Sequence, residues 1–377
     1  MKPYKPQKIY VEKDAFDSPQ TRTILKNLPG IPYEIIENIS ALAQEIQRKN
    51  DPIGEGKRYL LLRRDKGRSF KPFPENEPYL SCDYHTLHVA EGCDLECSYC
   101  ILQAYLTNPL LTVYVNLEEI LQNLQTVLDQ NPDSFFRIGT GQLADSLSLD
   151  PATGFTETLV PFFARQKNAV LELKTKSTFI ERLLPLNPGG RTIVSWSVNS
   201  KRIQKEEEHK CASLEERIGA AAKVVQAGYR TGFHFDPIID YPGWEKEYGE
   251  VIDQIFDEIP EEKIAWVSLG CLRFMPELKS IMQERFPKST LSLAEWITGM
   301  DGKMRYLKSR RIEIYRKMVE KIRDRSKADG VTLYLTMESP EVWHEVFGER
   351  HSKLSVCEML NAAGRQSSPR QSMILNK

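Results

Sequence analysis

The chain has 377 residues, 41% of them hydrophobic, and its 51 basic side chains are balanced by 52 acidic ones. That length buries a core and accommodates two domains, or one large α/β domain with appendages, while the charge balance excludes a chain-wide pull towards nucleic acid but not a local basic face. Seven cysteines with neither a secretory leader nor an apolar run of membrane length exclude a disulfide-stapled or membrane-spanning reading and point to a reducing cytoplasm.

Residues 1–79 read as a small α/β leader and linker. Strand patterns lie at 8–12, 32–36 and 58–62, a helix opens near Ser18 or Thr21 and stops at Pro29 and Gly30, and another covers 40–49. Residues 66–79, rich in Lys, Pro and Glu, read as linker. From 80 to 300 strands and helices alternate, with strands predicted at 84–90, 135–138, 170–176, 192–199, 230–238 and 264–269. Asn116 with Glu119 three residues on reads as a capping box opening a helix to about Asp129. Further helices are expected at 156–165, 180–184, 213–227 and 244–259. In the third of these, Leu214, Ile218, Ala221, Val224 and Val225 share one side and Gly228 ends it. Six alternations predict an α/β fold, a partial (β/α)6 TIM-like barrel. Residues 301–377 form a C-terminal helical and strand extension. Its basic run from Lys303 to Lys327 carries Ile312, Tyr315, Met318, Val319 and Ile322 at helical spacing, a strand follows at 331–335, and the end frays from about Ala362.

Within the barrel region, Cys93, Cys97 and Cys100 fall in one short loop, with three and then two residues between them. Thiolates are soft ligands suited to iron–sulfur clusters, zinc or copper. Structural zinc takes four protein ligands, and the nearest further candidates, Cys82, His85 and His88, all lie upstream. Three readings stay open: three ligands of a four-iron cluster with one iron left free, a zinc loop completed by Cys82, or buried free thiols. The loop follows the 84–90 strand, at the end where parallel barrels place their sites.

The Cys-x3-Cys-x2-Cys spacing with Tyr99 before the last cysteine resembles the signature of radical S-adenosylmethionine enzymes. Residues 99–103 and 114–121, Thr175-Lys176, Ser197-Val198-Asn199, the stretch from Arg217 to Gly228, Gly232-Phe233, Pro237, 243–245, Arg273-Phe274 and Arg305-Tyr306 are similar to the spore photoproduct lyase family. The resemblance implies a partial barrel, a 4Fe-4S cluster on Cys93, Cys97 and Cys100, and S-adenosyl-L-methionine chelating the fourth iron. It further implies a 5′-deoxyadenosyl radical acting on DNA or a nucleotide-like substrate, an external electron donor such as flavodoxin or ferredoxin, and reversal of a thymine–thymine adduct. That family returns a hydrogen atom from a cysteine after the second barrel strand, whereas residues 137–142 here hold no thiol. Ile101 stands where the family has a second tyrosine.

Roles follow by position. Tyr99 is the retained loop aromatic. Cys271, just past the 264–269 strand, is either a thiol at the mouth of the site or a small buried hydrophobe. Lys176 suits a cofactor carboxylate, or is simply solvated. Ser197 and Asn199 alternate along one strand and so face one side, as paired partners for ribose hydroxyls or as a bonded strand end. Gly139 and Thr140, in a Gly-Thr-Gly turn, permit close backbone approach to a ligand. Asp236 suits a polar or cationic substrate group or caps the next helix. Arg273, Arg305, Tyr306 and Lys308 fall to the substrate side, with Arg310 and Arg311 beside Arg305 and Lys308 as phosphate contacts, the alternative being a solvated amphipathic helix. Two rival functions remain: the same machinery on an unrelated small molecule or peptide, and a nucleic-acid-binding protein whose metal loop is only structural.

Overall fold

The structure, a computed structural model, describes residues 1–74, 78–80, 83–326 and 330–365. Cys82 and Lys327 lie outside the described residues, as does the chain from 366 onwards; the fraying expected from about Ala362 is corrected for 362–365, which end the helix Lys353–Arg365. The leader folds as expected. Strands β1 (Lys8–Glu12), β2 (Tyr33–Ile36) and β3 (Tyr59–Arg63) are parallel, and the helix Pro19–Asn27 connects the first two. Ser18 caps that helix by accepting from the Gln20 N–H, with Pro19 in its first turn.

The 66–79 segment is not only linker. Phe70–Pro72 forms β4, a short edge strand antiparallel to β5 (Tyr84–Leu87), where its proline costs no ladder bond. The strand predicted at 84–90 breaks at His88. Its end becomes β6 (Ala90–Glu91), which crosses to the other sheet ahead of β7 (Glu96–Cys97). There β6 pairs with β8 (Leu111–Tyr114), a strand passed over in the sequence, and β8 lies parallel to β3. The leader strands and the segments flanking the thiol loop thus share one five-stranded sheet, ordered β2-β1-β3-β8-β6.

The second sheet is the partial barrel. Strands β9 (Phe136–Gly139), β10 (Ala169–Thr175), β11 (Thr192–Ser197), β13 (Arg230–Ile238) and β14 (Ile264–Cys271) follow β5 in parallel. They make six parallel strands curled and left open, with β18 (Leu333–Leu335) added beyond β14. Every residue of β11 and β14 is buried, as expected of parallel strands covered on both faces. The helix Leu214–Gln226 carries the capping box of Ser213 and Glu216, and Gly228 follows with φ 93°. The remaining short strands are β12 (Glu208–His209) and an antiparallel ribbon of β15 (Arg273–Phe274), β16 (Ile297–Thr298) and β17 (Met304–Arg305).

Three expectations need correction. Asn116 precedes the helix Leu117–Gln130 without capping it. Its carbonyl accepts from the Asp65 N–H and its amide donates to Asp65 and Glu119, so the side chain is spent tying two segments together. Residues 180–184 make turns and no helix, since Pro185 blocks continuation. The tail holds two unforeseen helices, Pro340–Phe347 and Lys353–Arg365. The second plugs the open barrel: Ala363 packs with Val170, Ile193, Ala265 and Trp266, and Arg230 donates to the Ala363 and Gly364 carbonyls. No described helix is long and apolar enough to cross a membrane.

Candidate active site

The thiol loop is held from several sides. Gly92 enters it with φ 85°, and a Cβ there would meet Leu111 at 2.8 Å, so the turn asks for glycine. β7 pairs antiparallel with β12, setting Cys97 opposite Glu208. The Gln103 amide donates to the Cys97 and Ser98 carbonyls at 3.1 and 3.0 Å, and the Lys57 ammonium donates to the Leu95 carbonyl. The Tyr99 hydroxyl donates to Glu208, whose buried carboxylate also meets Arg217 at 2.6 Å and Lys176 at 3.7 Å. Burial alone would raise the Glu208 carboxyl, yet Arg217 and then Lys176 draw it down to about 2.

Two largely buried ammonium groups, Lys57 and Lys176, flank the thiols, together with the carboxylates Asp94, Glu96 and Glu208. Burial opposes the charge on Lys57, but Glu96 and then the Cys93 and Cys100 thiols outweigh it and raise the ammonium's pKa. Lys176 is likewise raised against burial, by Cys97 and Glu208, and its ammonium stands 5.2 Å from the Tyr99 ring centroid. Burial pushes the Cys93 and Cys100 thiols up, whereas a hydrogen bond with Cys211 holds Cys97 below its ordinary value. Among the described residues no three His, Cys, Asp or Glu side chains converge as ligands of one ion. A cluster of several irons takes thiolates on different irons and does not ask for that convergence.

Beyond Cys100 the barrel encloses a cavity of about 340 Å³, within the range of small-ligand sites, lined among others by Tyr99, Cys100, Ile101, Lys174, Asp236 and Arg273. Asp236 and Arg273 form a two-pronged ion pair at 3.0 and 3.1 Å, and Thr336 donates to the same carboxylate. Glu172, at the cavity wall, gathers four donors: Tyr84 and Ser195 at 2.7 Å, His234 at 2.8 Å and the Trp266 indole at 2.9 Å. The four donors come from four barrel strands and Glu172 from a fifth, so one carboxylate fixes the spacing of the barrel interior. Gly139 lies against this network: a Cβ there would fall 1.7 Å from the Tyr84 hydroxyl. Gly139→Ala is therefore expected to displace Tyr84 from Glu172 and to cost about 1–3 kcal/mol by overpacking, read as a lowered urea midpoint. An unchanged midpoint would show that the phenol moves freely.

The expected site residues divide into two groups. Tyr99, Cys100, Asp236 and Arg273 share the cavity, and Lys176 stands over Tyr99. Thr140 is buried and donates to Ser146. Ser197 ends β11, its carbonyl accepting from Arg217. Asn199 is anchored by its own amide, which donates to the Pro237 carbonyl and accepts from Tyr248. Cys271 is buried beside Tyr315, and its neighbour Leu272 is the residue that lines the cavity.

The basic run is neutralised within the molecule, because carboxylates on neighbouring segments meet it. Arg305 pairs with Asp301, Lys308 with Glu341, Arg310 with Asp240 and Arg311 with Glu338, each at 2.8 Å. Tyr306 stacks on Trp296 and accepts from the Asp240 N–H. Phosphate contact by these side chains would therefore have to compete with internal carboxylates. Lys57, Glu172 and Glu208 went unread, although a glutamate inside the apolar strand Val170-Leu171-Glu172-Leu173 was a visible signal of a buried charge.

Comparison with known proteins decides the family. The profile described as spore photoproduct lyase matches residues 4–334. The chain belongs to the spore photoproduct lyase family. The spore photoproduct lyase of a Geobacillus species is 27% identical over 309 residues, covering 78% of this chain and 86% of the relative, and that of Bacillus subtilis is 27% identical over 303 residues with the same coverage. The solved spore photoproduct lyase complexed with dinucleoside spore photoproduct shares the fold, with a TM-score of 0.77 at 24% identity, covering 89% of this chain and 100% of that one. A mutant of spore photoproduct lyase with bound AdoMet and the same dinucleoside superposes equally, at a TM-score of 0.77 and 24% identity with the same coverage.

Proposed function

We propose that this protein is a radical S-adenosylmethionine enzyme using a 4Fe-4S cluster, acting on DNA or a nucleotide-like substrate in a photoproduct lyase-like reaction. The observation that carries the reading is the placement of the thiol loop: Cys100, Tyr99 and Ile101 belong to the wall of the cavity that Asp236 and Arg273 also line. Family membership supports it, as do the relatives, which are spore photoproduct lyases solved with a dinucleoside lesion and with AdoMet. The donor set suits the cluster, since soft thiols flanked by Lys57 and Lys176 match an anionic iron–sulfur centre. Cys93, Cys97 and Cys100 would hold three irons. When bound, the cluster and S-adenosylmethionine supply a one-electron carbon–sulfur cleavage that releases a 5′-deoxyadenosyl radical.

The chain's own part is to place and to exclude. Lys176, steadied by Glu208 and Tyr99, would meet the cofactor carboxylate. Ser197, Asn199, Gly139 and Thr140 would line the cofactor's approach. Ile101 and Leu272 would keep their part of the cavity wall apolar. Asp236 and Arg273 would orient a polar edge of the substrate, with Lys174 near them. An acidic electron donor such as flavodoxin or ferredoxin would fit the other flank of the loop, where exposed Lys2, Lys5, Arg58 and Lys210 surround a cleft at Asp94 and Cys211.

The test is anaerobic reconstitution with iron and sulfide, addition of dithionite and S-adenosylmethionine, and chromatography of 5′-deoxyadenosine. DNA carrying the spore photoproduct is then assayed for recovered thymines. Cofactor cleavage and lesion repair are expected. A loaded cluster that never cleaves the cofactor overturns the radical reading. Cleavage without repair would select the second reading, a different small-molecule or peptide substrate, which the ionic lining of Asp236, Arg273 and Lys303 favours.

A further inference from the structure

Cys211 has no role in the chemistry above, yet its sulfur lies 3.6 Å from that of Cys97. The contact is built into the fold. β12 runs antiparallel to β7 with Glu208 opposite Cys97, and Cys211 follows two residues after β12. Between them Lys210 turns the chain through a left-handed conformation, φ 58°. The two sulfurs differ in access. Cys97 is buried, whereas Cys211 is half-buried and lines the surface cleft it shares with Lys2, Tyr4, Asp94 and Lys210. Their separation is a van der Waals contact, roughly 1.5 Å beyond a disulfide bond.

We propose that Cys211 is a redox partner of Cys97. In the cluster-free protein a low-molecular-weight disulfide oxidises the pair to a Cys97–Cys211 disulfide, which withdraws one iron-binding thiol until a thiol reductant reopens it. Only the role of reduced Cys97 rests on the proposed function. Cys211, the more accessible of the two thiols, gives up its proton and attacks the small disulfide, forming a mixed disulfide and expelling one thiolate, which takes up that proton. The Cys97 sulfur then attacks the Cys211 sulfur and expels the second thiolate, which takes the Cys97 proton. The protein pair loses two electrons and two protons, and the reagent gains both. Iron bound to Cys97 occupies the attacking sulfur, so the loaded protein is protected.

The experiment treats cluster-free protein anaerobically with oxidised glutathione, blocks the remaining thiols and maps the peptides by mass spectrometry. A linked Cys97–Cys211 peptide is expected, with loss of two of the seven thiols. Subsequent iron uptake should fall about tenfold or more and recover with dithiothreitol. Cys211→Ser, checked for an unchanged melting temperature, should give no linked peptide and take up iron normally after the same treatment. A bridge between other cysteines, or a glutathione adduct alone, overturns the proposal. So does a Cys211→Ser protein that binds less iron before any oxidant, because Cys211 would then be a ligand. The linked peptide is read without iron, so its absence counts against this pair alone, while a reduced wild-type protein that binds no iron counts against the proposed function.

Discussion

Replacing Cys93, Cys97 or Cys100 singly by alanine is expected to bring 5′-deoxyadenosine formation to background, a loss of at least about a thousandfold in rate, or about 4 kcal/mol. Each thiol would hold a different iron, and nothing else in the loop has a soft donor to take over. The fold should survive, because the loop is tied by contacts that do not use the sulfurs: Gln103 to the Cys97 and Ser98 carbonyls, Lys57 to Leu95, and Tyr99 to Glu208. Cluster-free melting temperatures should therefore agree with wild type. Gln103→Ala is the informative contrast. It loosens the loop without removing a ligand, and a supporting residue of that kind is worth about 10–100-fold in metal retention. Iron content, visible absorbance and cofactor cleavage distinguish the classes. A Cys97→Ala protein retaining the full wild-type iron content and turnover would remove Cys97 from the ligand set.

Glu172→Ala is expected to cost about 3–5 kcal/mol of stability near neutral pH, since it strands the partners of a buried charge. Tyr84, Ser195, His234 and Trp266 all donate to that carboxylate, and Glu172 and His234 are each only 5% exposed in their side chains. Burial would raise the carboxyl, but the His234 ring, Lys174 and Ser195 outweigh it and hold it below the ordinary value of 4.5. A depressed folded-state pKa means that the stabilisation is complete above the unfolded value and fades as the pH falls below it. The gap between wild type and Glu172→Gln in urea midpoints should thus be constant above about pH 5 and narrow as acid is added. A gap below about 1 kcal/mol at pH 7, or one that does not change with pH, would show that the network is held by neutral hydrogen bonds.

The parallel strands were legible because each is a continuous apolar run bounded by turn residues, and six of them with intervening helices admit few arrangements. The thiol loop was legible from spacing alone. Long-range pairing was not. The cations of the helix Lys308–Arg325 read as a free face because their carboxylates lie far away in sequence, Asp240 being 70 positions from Arg310 and Glu341 being 33 from Lys308. Glu208 stayed hidden for the same reason, since nothing beside it announces partners as distant as Tyr99 and Lys176. Residues 340–347 failed differently. Ser339 as a cap, Pro340 in the first turn and Gly348 with φ 78° were all visible signals, and the helix was nevertheless passed over.

The helix Lys353–Arg365 has a consequence for how the chain is made. Arg137 on β9 donates to Asn361 across 224 positions, and Ala363 covers Val170, Ile193, Ala265 and Trp266. Strand β14 leaves the ribosome about 80 residues before this helix begins, so at about 5–20 residues per second a nearly finished barrel waits roughly 4–16 s with its apolar interior open to water. A holding chaperone would have a defined interval in which to act, and the docking of one short helix would end it.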